Sequence, residues 1–140
     1  MIKKEMPGKG IKVFDLKNNG DDRGFSYNVP RSTFDFIGEI NDTHVATIVP
    51  GATRGNHYHV DRKEFILVWF NDSWILAWDQ GGGTGVETQV FHGVGLKLIE
   101  IDTETSHAIK NIGMKDILIM AFSNKKYKIE EPDTYKRVVI

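Results

Sequence analysis

The chain has 140 residues, with 18 lysines and arginines against 19 aspartates and glutamates, and it contains no cysteine. This length suits one domain with a sizeable core, and the balanced charge disfavours nucleic acid or a membrane surface as a partner. Without cysteine there are no disulfides and no thiolate metal ligands, and with neither a signal peptide nor a membrane-spanning run we expect a cytoplasmic protein.

Short apolar runs between turn signals predict about ten β-strands and little helix, because no window of a dozen residues keeps a helical period. The predicted strands are Lys12–Phe14, Thr43–Val49, Asn56–His59, Glu64–Phe70, Ser73–Trp78, Gly85–Phe91, Leu96–Ile101, His107–Asn111, Ile117–Ser123 and Tyr127–Ile129. Asn71-Asp72 predicts a compact hairpin, and the glycine-rich run Gly81–Gly85 predicts a hairpin loop rather than a phosphate-binding loop. So many short strands favour a closed or sandwiched all-β architecture, which a jelly roll, or double-stranded β-helix, would satisfy.

The tryptophans all lie in predicted strands. Trp74 and Trp78 share a face with Leu76, since alternate residues of a strand point the same way. We interpret Trp69, Trp74 and Trp78 as core or dimer-interface aromatics rather than a ligand-stacking surface.

Four polar side chains are the strongest functional candidates: His57, His59, Glu64 and His107. On a strand, His57 and His59 can point to one face while Tyr58 points to the other. Glu64 begins the strand that we expect to return beside them, and His107 can arrive from a later hairpin. Three nitrogen ligands and one oxygen ligand suit Zn, Fe, Mn, Ni or Cu better than Ca or Mg. We therefore predict a transition-metal site, the alternative being histidines that only line a polar pocket.

The spacing of these residues resembles the first motif of the cupin superfamily. In that motif a glycine is followed after five residues by His-x-His and then by a glutamate, as Gly51 is followed here. Asn71 stands at the closing glycine and tolerates a left-handed turn almost as well. The resemblance implies a jelly-roll cupin barrel.

The second cupin motif is present only at its end. His107 and Asn111 match its histidine and asparagine, whereas Asp102 and Glu104 replace its proline and glycine. These replacements make the approach to His107 more acidic than is usual for a cupin.

A narrower resemblance runs through most of the chain. The segment T-R-G-N-H-Y-H at 53–59 resembles the T-x-G-N-H-x-H of the cupin domain of bifunctional capsular-polysaccharide enzymes that act on UDP-4-keto-hexoses. D-R-G at 22–24 resembles the opening segment shared with dTDP-4-keto-sugar 3,5-epimerases. H-A-I-K-N-I-G at 107–113 and E-P-D-T-Y at 131–135 resemble two later segments of the capsular family.

This resemblance implies one cupin domain over 1–140, with a lead-in segment at 1–21 and the barrel and tail at 22–135. It implies zinc, or else iron, manganese or nickel, on the two-His, Glu and later His positions, and a homodimer. It also implies an epimerase or isomerase of surface-polysaccharide biosynthesis that acts next to the ketone of a sugar nucleotide. The relatives' reductase domain has no G-x-G-x-x-G counterpart here, so we expect any nicotinamide step to need a separate protein.

The substrate would be held by arginine. Arg54 and Arg23 are candidates for pairing with a diphosphate, although either can instead form a structural ion pair. The sequence does not identify the catalytic base, because Glu64 cannot take up a proton from the substrate while it binds a metal. Four other polar residues are candidates: His44, Tyr58, His92 and Glu100.

Two other functions stay open at the level of sequence. Three histidines and a glutamate also suit the iron of an Fe(II)-dependent dioxygenase. A non-catalytic barrel that binds a small molecule is the other alternative.

Overall fold

A computed structural model describes residues 2–5, 10–80 and 85–140 of the chain, with side chains from residue 10 onward. The elements in chain order are β1 (Ile2–Glu5), β2 (Ile11–Asp15), α1 (Arg31–Ile37), β3 (Asp42–Ile48), β4 (Thr53–Tyr58), β5 (Glu64–Phe70), β6 (Trp74–Asp79), β7 (Glu87–Phe91), β8 (Gly95–Ile101), β9 (Ser106–Asn111), β10 (Ile117–Ser123) and β11 (Tyr135–Lys136). Across these ranges, no helix has the length and apolar character needed to cross a membrane. The predicted glycine-rich loop falls outside the described residues except for Gly85.

The strands form two antiparallel sheets that pack face to face. One has the order β1-β2-β8-β5-β10-β3, and the other has the order β11-β4-β9-β6-β7. The predicted all-β jelly roll is confirmed. The predicted hairpin at Asn71-Asp72 is wrong, because β5 pairs with β8 and β10 while β6 pairs with β7 and β9. This short connection instead carries the chain from one sheet to the other.

The main core lies between the sheets and follows the alternation of each strand. In β5, Ile66, Val68 and Phe70 point inward, and Trp74 begins the same pattern in β6. Trp74 is fully buried and stacks on Phe91 with 4.5 Å between ring centroids. Burying each such aliphatic or phenyl side chain contributes about 1.5–3 kcal/mol. The interpretation of Trp74 and Trp78 as core residues is confirmed, since both are at most 2% exposed.

A second apolar cluster covers the outer face of the six-stranded sheet beneath α1. Its buried members are Phe14, Ile37, Phe65, Leu67 and Leu98. The helix follows Pro30 and ends at Gly38, whose φ of 70° is favoured by glycine. With seven residues it is too short to show a helical period in the sequence, which agrees with the small helix content predicted.

The ends of the chain differ from the prediction. β1 and β11 were not predicted, and the lead-in segment supplies β1 and β2, which extend the six-stranded sheet beside β8. The predicted strand Tyr127–Ile129 is wrong. The side chains of Tyr127 and Ile129 are largely exposed, so burial does not stabilise a β-strand there.

The tail after residue 131 first forms β11 beside β4 at the edge of the five-stranded sheet, and its last residues then pack on the outer face of that sheet. Arg137 donates to Asp79 at 2.6 Å, and Val139 packs against Ala77 and Ala108. The side-chain oxygen of Asn56 accepts hydrogen bonds from the last two backbone N–H groups. The tail is therefore attached to the strands that carry two of the predicted metal ligands.

Candidate metal centre

Three strands bring the predicted ligands to one end of the space between the sheets. We call the set the ligand tetrad: His57, His59, Glu64 and His107. Each member offers one ligand atom, and these four atoms lie within 4.8 Å of one another. Ligand atoms around one zinc ion lie about 3–4 Å apart, so small side-chain adjustments suffice to hold a metal.

The tetrad is assembled from both sheets. His57 lies opposite His107 in the β4–β9 pair, and His59 follows directly after β4. Glu64 lies beside the histidines as predicted, although β5 belongs to the facing sheet and presents Glu64 across the barrel rather than from a strand paired with β4. Tyr58 points away from the tetrad and stacks on Tyr135, so the alternation predicted for residues 57–59 is present.

A β-bulge sets the direction of the first ligand. The β4–β9 register shifts between Gly55 and His57, and Asn56 between them has a φ of 57°. A side chain at Gly55 would place its Cβ 2.6 Å from the backbone oxygen of His107. Glycine and asparagine in T-R-G-N-H-Y-H thus allow β4 to approach β9 closely and turn His57 inward.

Two backbone carbonyls fix the orientation of two imidazoles. His59 Nδ1 donates to the carbonyl of Asp133 at 2.7 Å, and His107 Nδ1 donates to the carbonyl of Thr105 at 3.0 Å. Because a carbonyl only accepts, each Nδ1 carries the proton and each Nε2 faces the centre. Carbonyl partners of this kind are typical of metal-binding histidines.

The centre of the tetrad is Glu64. Its Oε1 lies 3.0 Å from His107 Nε2 and 3.6 Å from His59 Nε2. Burial acts to raise the pKa of Glu64, but hydrogen bonds from His107 and His59 outweigh it and hold that pKa well below its usual range. A charged carboxylate therefore lies at the centre of a buried site.

The histidines differ in protonation. Burial and the neighbouring imidazoles of His107 and His59 lower the pKa of His57 to about 4. Burial also acts to lower the pKa of His59, but its hydrogen bond and charge interaction with Glu64 raise that pKa above the ordinary value. Above about pH 4 the metal-free site thus holds a neutral His57 and an ionised Glu64 that favours the protonated form of His59. A transition metal can replace the proton on His59 Nε2, and the donor set fits one.

Metal binding is expected to release a proton near neutral pH. The raised pKa of His59 means that its Nε2 must lose a proton when it binds a cation, whereas His57 is already neutral above about pH 4. Affinity for zinc should fall by up to about tenfold per unit as the pH is lowered through the pKa of His59. Isothermal titration calorimetry in buffers of different ionisation enthalpy measures the number of protons released when zinc binds. A count of zero at pH 6.5 would contradict a protonated His59 in the metal-free site.

A cavity of about 500 Å³ opens beside the tetrad. Besides the tetrad, its lining includes His44, Thr53, Arg54, Gly55, Arg62, Ile66, Ile109, Ile119, Ala121, Tyr127 and Thr134. The structure thus brings two predicted site residues, His44 and Arg54, to the same cavity as the tetrad. Arg54 Nε donates to the backbone oxygen of Thr47 at 2.8 Å, which orients its guanidinium.

Two predicted site residues lie elsewhere because they have local partners. Arg23 lies in an exposed loop and pairs with Asp21 at 2.6 Å. Glu100 is buried on the outer side of the six-stranded sheet, where it accepts a hydrogen bond from Thr33 of α1 at 2.8 Å. Neither residue lines the cavity.

Two more candidates for the base also face away from the cavity. His92 follows β7 at the far end of the barrel, where its Nδ1 lies 2.7 Å from Ser73 Oγ. Tyr58 packs on the outer side of β4 against Tyr135, with 5.3 Å between ring centroids. Neither side chain is in the lining, so His44 is the one predicted base that the fold places there.

Sequence reasoning missed two residues at the site. Arg62 lies in the turn between His59 and Glu64, and its buried Nε has no hydrogen-bond partner among the described residues. Asp133 contacts His59 from the tail. Its place in the E-P-D-T-Y segment was a signal of relatedness but gave no indication of this contact.

The chain is similar in sequence to a nucleotide-sugar reductase and to a polysaccharide biosynthesis protein. It is 31% identical over 124 residues to UDP-2-acetamido-2,6-beta-L-arabino-hexul-4-ose reductase of Pseudomonas aeruginosa, over 79% of this chain and 32% of that protein. It is 24% identical over 129 residues to the spore coat polysaccharide biosynthesis protein SpsL of Bacillus subtilis, over 89% of this chain and 85% of that protein.

Solved structures agree with these relatives. Capsular polysaccharide assembling protein CapF of Staphylococcus aureus superposes with a TM-score of 0.65 at 25% identity, over 90% of this chain and 35% of that chain. The dTDP-6-deoxy-D-glucose-3,5-epimerase RmlC of Legionella pneumophila gives a TM-score of 0.76 at 16% identity, over 96% of this chain and 76% of that chain, and shows the same cupin fold. The chain spans about a third of the length of the reductase and of CapF.

The resemblance to capsular-polysaccharide enzymes is confirmed by a family match that covers most of the chain. Residues 14–135 match the family described as Polysaccharide biosynthesis C-terminal domain. The chain belongs to this family.

Proposed function

We propose that this protein is a metal-dependent epimerase or isomerase that acts on the carbon next to the ketone of a nucleotide-linked 4-keto-hexose. The observation that carries this proposal is the position of the tetrad at the wall of a 500 Å³ cavity that also contains a separate histidine and two arginines. The names of the reductase, CapF and RmlC are consistent with such a substrate class. We further propose that the protein works as a homodimer in the cytoplasm.

The tetrad would hold the metal. Zinc is our first choice, and iron, manganese and nickel are alternatives that the same donors accept. A divalent cation beside a ketone oxygen supplies stabilisation for the negative charge that develops there when the neighbouring carbon loses a proton. The buried setting of the tetrad strengthens that interaction, since His59, Glu64 and His107 are each less than 8% exposed.

His44 is the proposed base. It lies on β3 opposite Ala121 of β10, and its side chain lines the cavity without belonging to the tetrad. The imidazole would take the proton from the carbon next to the ketone, while the electron pair moves to the ketone oxygen. Return of a proton to a different face or carbon would complete the reaction.

Arg54 and Arg62 are the proposed anion-binding residues. Both line the cavity, and a guanidinium pairs with phosphate through two parallel N–H donors. The bond from Arg54 to Thr47 uses one of its five donors, and the Nε of Arg62 has no protein partner in the described part of the chain. The diphosphate of a sugar nucleotide would pair with the terminal Nη groups of these two guanidinium groups.

The proposal is tested by hydrogen exchange. Zinc-loaded protein incubated in deuterated water with a UDP- or dTDP-linked 4-keto-6-deoxyhexose should place deuterium next to the ketone, as read by mass spectrometry or NMR. His44→Gln should lower this rate by about 100-fold, because a positioned general base is removed, without changing the bound zinc.

His92→Gln is the matched control, since that histidine is exposed at the far end of the barrel and should leave the rate unchanged. Absence of exchange with both nucleotide classes would refute the proposed reaction. Equal loss in both variants would refute the role of His44.

A further inference from the structure

We infer that Asp133 is a positioning residue of the metal centre, which fixes His59 and the turn that leads to Glu64. Asp133 belongs to no strand and lies 74 positions after His59, yet its carbonyl accepts the Nδ1 proton of His59 at 2.7 Å. This inference rests on the proposed metal site, and it concerns a residue that has no place in the tetrad or in the cavity lining.

The carboxylate of Asp133 makes two more bonds to the same turn. Its Oδ1 accepts from the backbone N–H of Val60 at 2.9 Å, and its Oδ2 accepts from the backbone N–H of Asp61 at 3.0 Å. Bonds from a charged carboxylate to backbone N–H groups are stronger than neutral ones. One residue therefore holds the imidazole and the two residues that follow it.

The backbone on both sides keeps Asp133 in place. Its φ of 47° lies in the left-handed region, which aspartate and asparagine tolerate better than most residues. Two residues later, Tyr135 and Lys136 pair with Tyr58 and His57 of β4. The carbonyl of Asp133 is thus fixed relative to the strand that carries His57.

The consequence is a defined tautomer and direction for His59. With Nδ1 bonded to the carbonyl, Nε2 points to Glu64 at 3.6 Å and is the atom available to a metal. If the turn moves, His59 loses this direction even though the ring itself is intact. Asp133 acts through His59 and touches neither metal nor substrate.

Two substitutions test the contribution of the Asp133 carboxylate separately from that of its backbone conformation. Asp133→Gly suits the left-handed φ but removes both bonds to the turn, and it should weaken zinc affinity by about 10–100-fold. Asp133→Asn keeps the conformation and one acceptor oxygen, and it should stay within about threefold of the unsubstituted protein. Glu131→Ala is the matched control, because it removes an exposed carboxylate from the same segment and should have no effect.

Zinc affinity is measured by competition with a chromophoric chelator, and the His59 imidazole is measured by nitrogen NMR of the metal-free protein. We expect a protonated Nδ1 that is hydrogen-bonded in the unsubstituted protein, and loss of that hydrogen bond in Asp133→Gly. Unchanged affinity and an unchanged imidazole spectrum in Asp133→Gly would overturn the inference, even if its melting temperature fell. If no variant bound zinc, the proposed metal site would fail, and the NMR spectra alone would still decide the role of Asp133.

Discussion

His107→Ala is expected to lower the affinity for zinc by several hundred-fold. Four-ligand zinc sites bind with about 10–16 kcal/mol, so one ligand of four contributes roughly 2.5–4 kcal/mol, which corresponds to a factor of about 70 to 900. His107 is 3% exposed and its Nδ1 donates to the carbonyl of Thr105, so its imidazole is held in position for the metal. Competition with a chromophoric chelator gives the affinity, and elemental analysis gives the bound metal.

His44→Ala is the control for that substitution. His44 lines the same cavity but belongs to no ligand cluster among the described residues, so its removal should leave zinc affinity unchanged. Wild-type affinity in His107→Ala would show that the metal does not bind at the tetrad. A similar loss in both variants would point to an indirect effect on the barrel.

The second large effect is expected at Gly55. Gly55→Ala places a Cβ 2.6 Å from the His107 backbone oxygen and 2.9 Å from the Ala108 Cα, at a φ of 102°. Backbone strain costs about 1–3 kcal/mol, and the overlap with β9 costs a similar amount. The free energy of unfolding should therefore fall by about 4 kcal/mol, and zinc affinity should fall with it because β9 carries His107.

Gly51→Ala is the matched control for this effect. Gly51 also has a positive φ, of 84°, but a Cβ there would meet nothing within 4 Å. Only the conformational cost of about 1 kcal/mol remains. Urea unfolding of the two metal-free variants measures the difference. Equal destabilisation would contradict the claim that the close approach of β4 to β9 is what requires glycine at position 55.

The features predicted correctly from the sequence are those with a local signal. Short apolar runs between turn signals indicated β5 and β6, and the shared parity of Trp74, Leu76 and Trp78 indicated the inner face of β6. The spacing of His57, His59 and Glu64 indicated the ligands because strand alternation and a short turn set their geometry over a few residues. The family resemblance then supplied the jelly roll, which local patterns alone do not specify.

What was missed depends on contacts between distant segments. Nothing near Glu64 shows that β5 pairs with β8 and β10 rather than with β4. The bond from His59 to Asp133 joins residues 74 positions apart. Arg23, by contrast, lies in an exposed loop where its partner is Asp21, only two residues away.

The most direct test of the account is the X-ray absorption spectrum of zinc-loaded protein at the metal edge. The tetrad predicts a first shell of nitrogen and oxygen atoms at about 2.0–2.2 Å, with outer-shell scattering from three imidazole rings. The imidazole contribution should fall by one ring in the zinc that His107→Ala still retains. A spectrum with only oxygen neighbours and no imidazole scattering would contradict the assignment of His57, His59, Glu64 and His107 as the metal site.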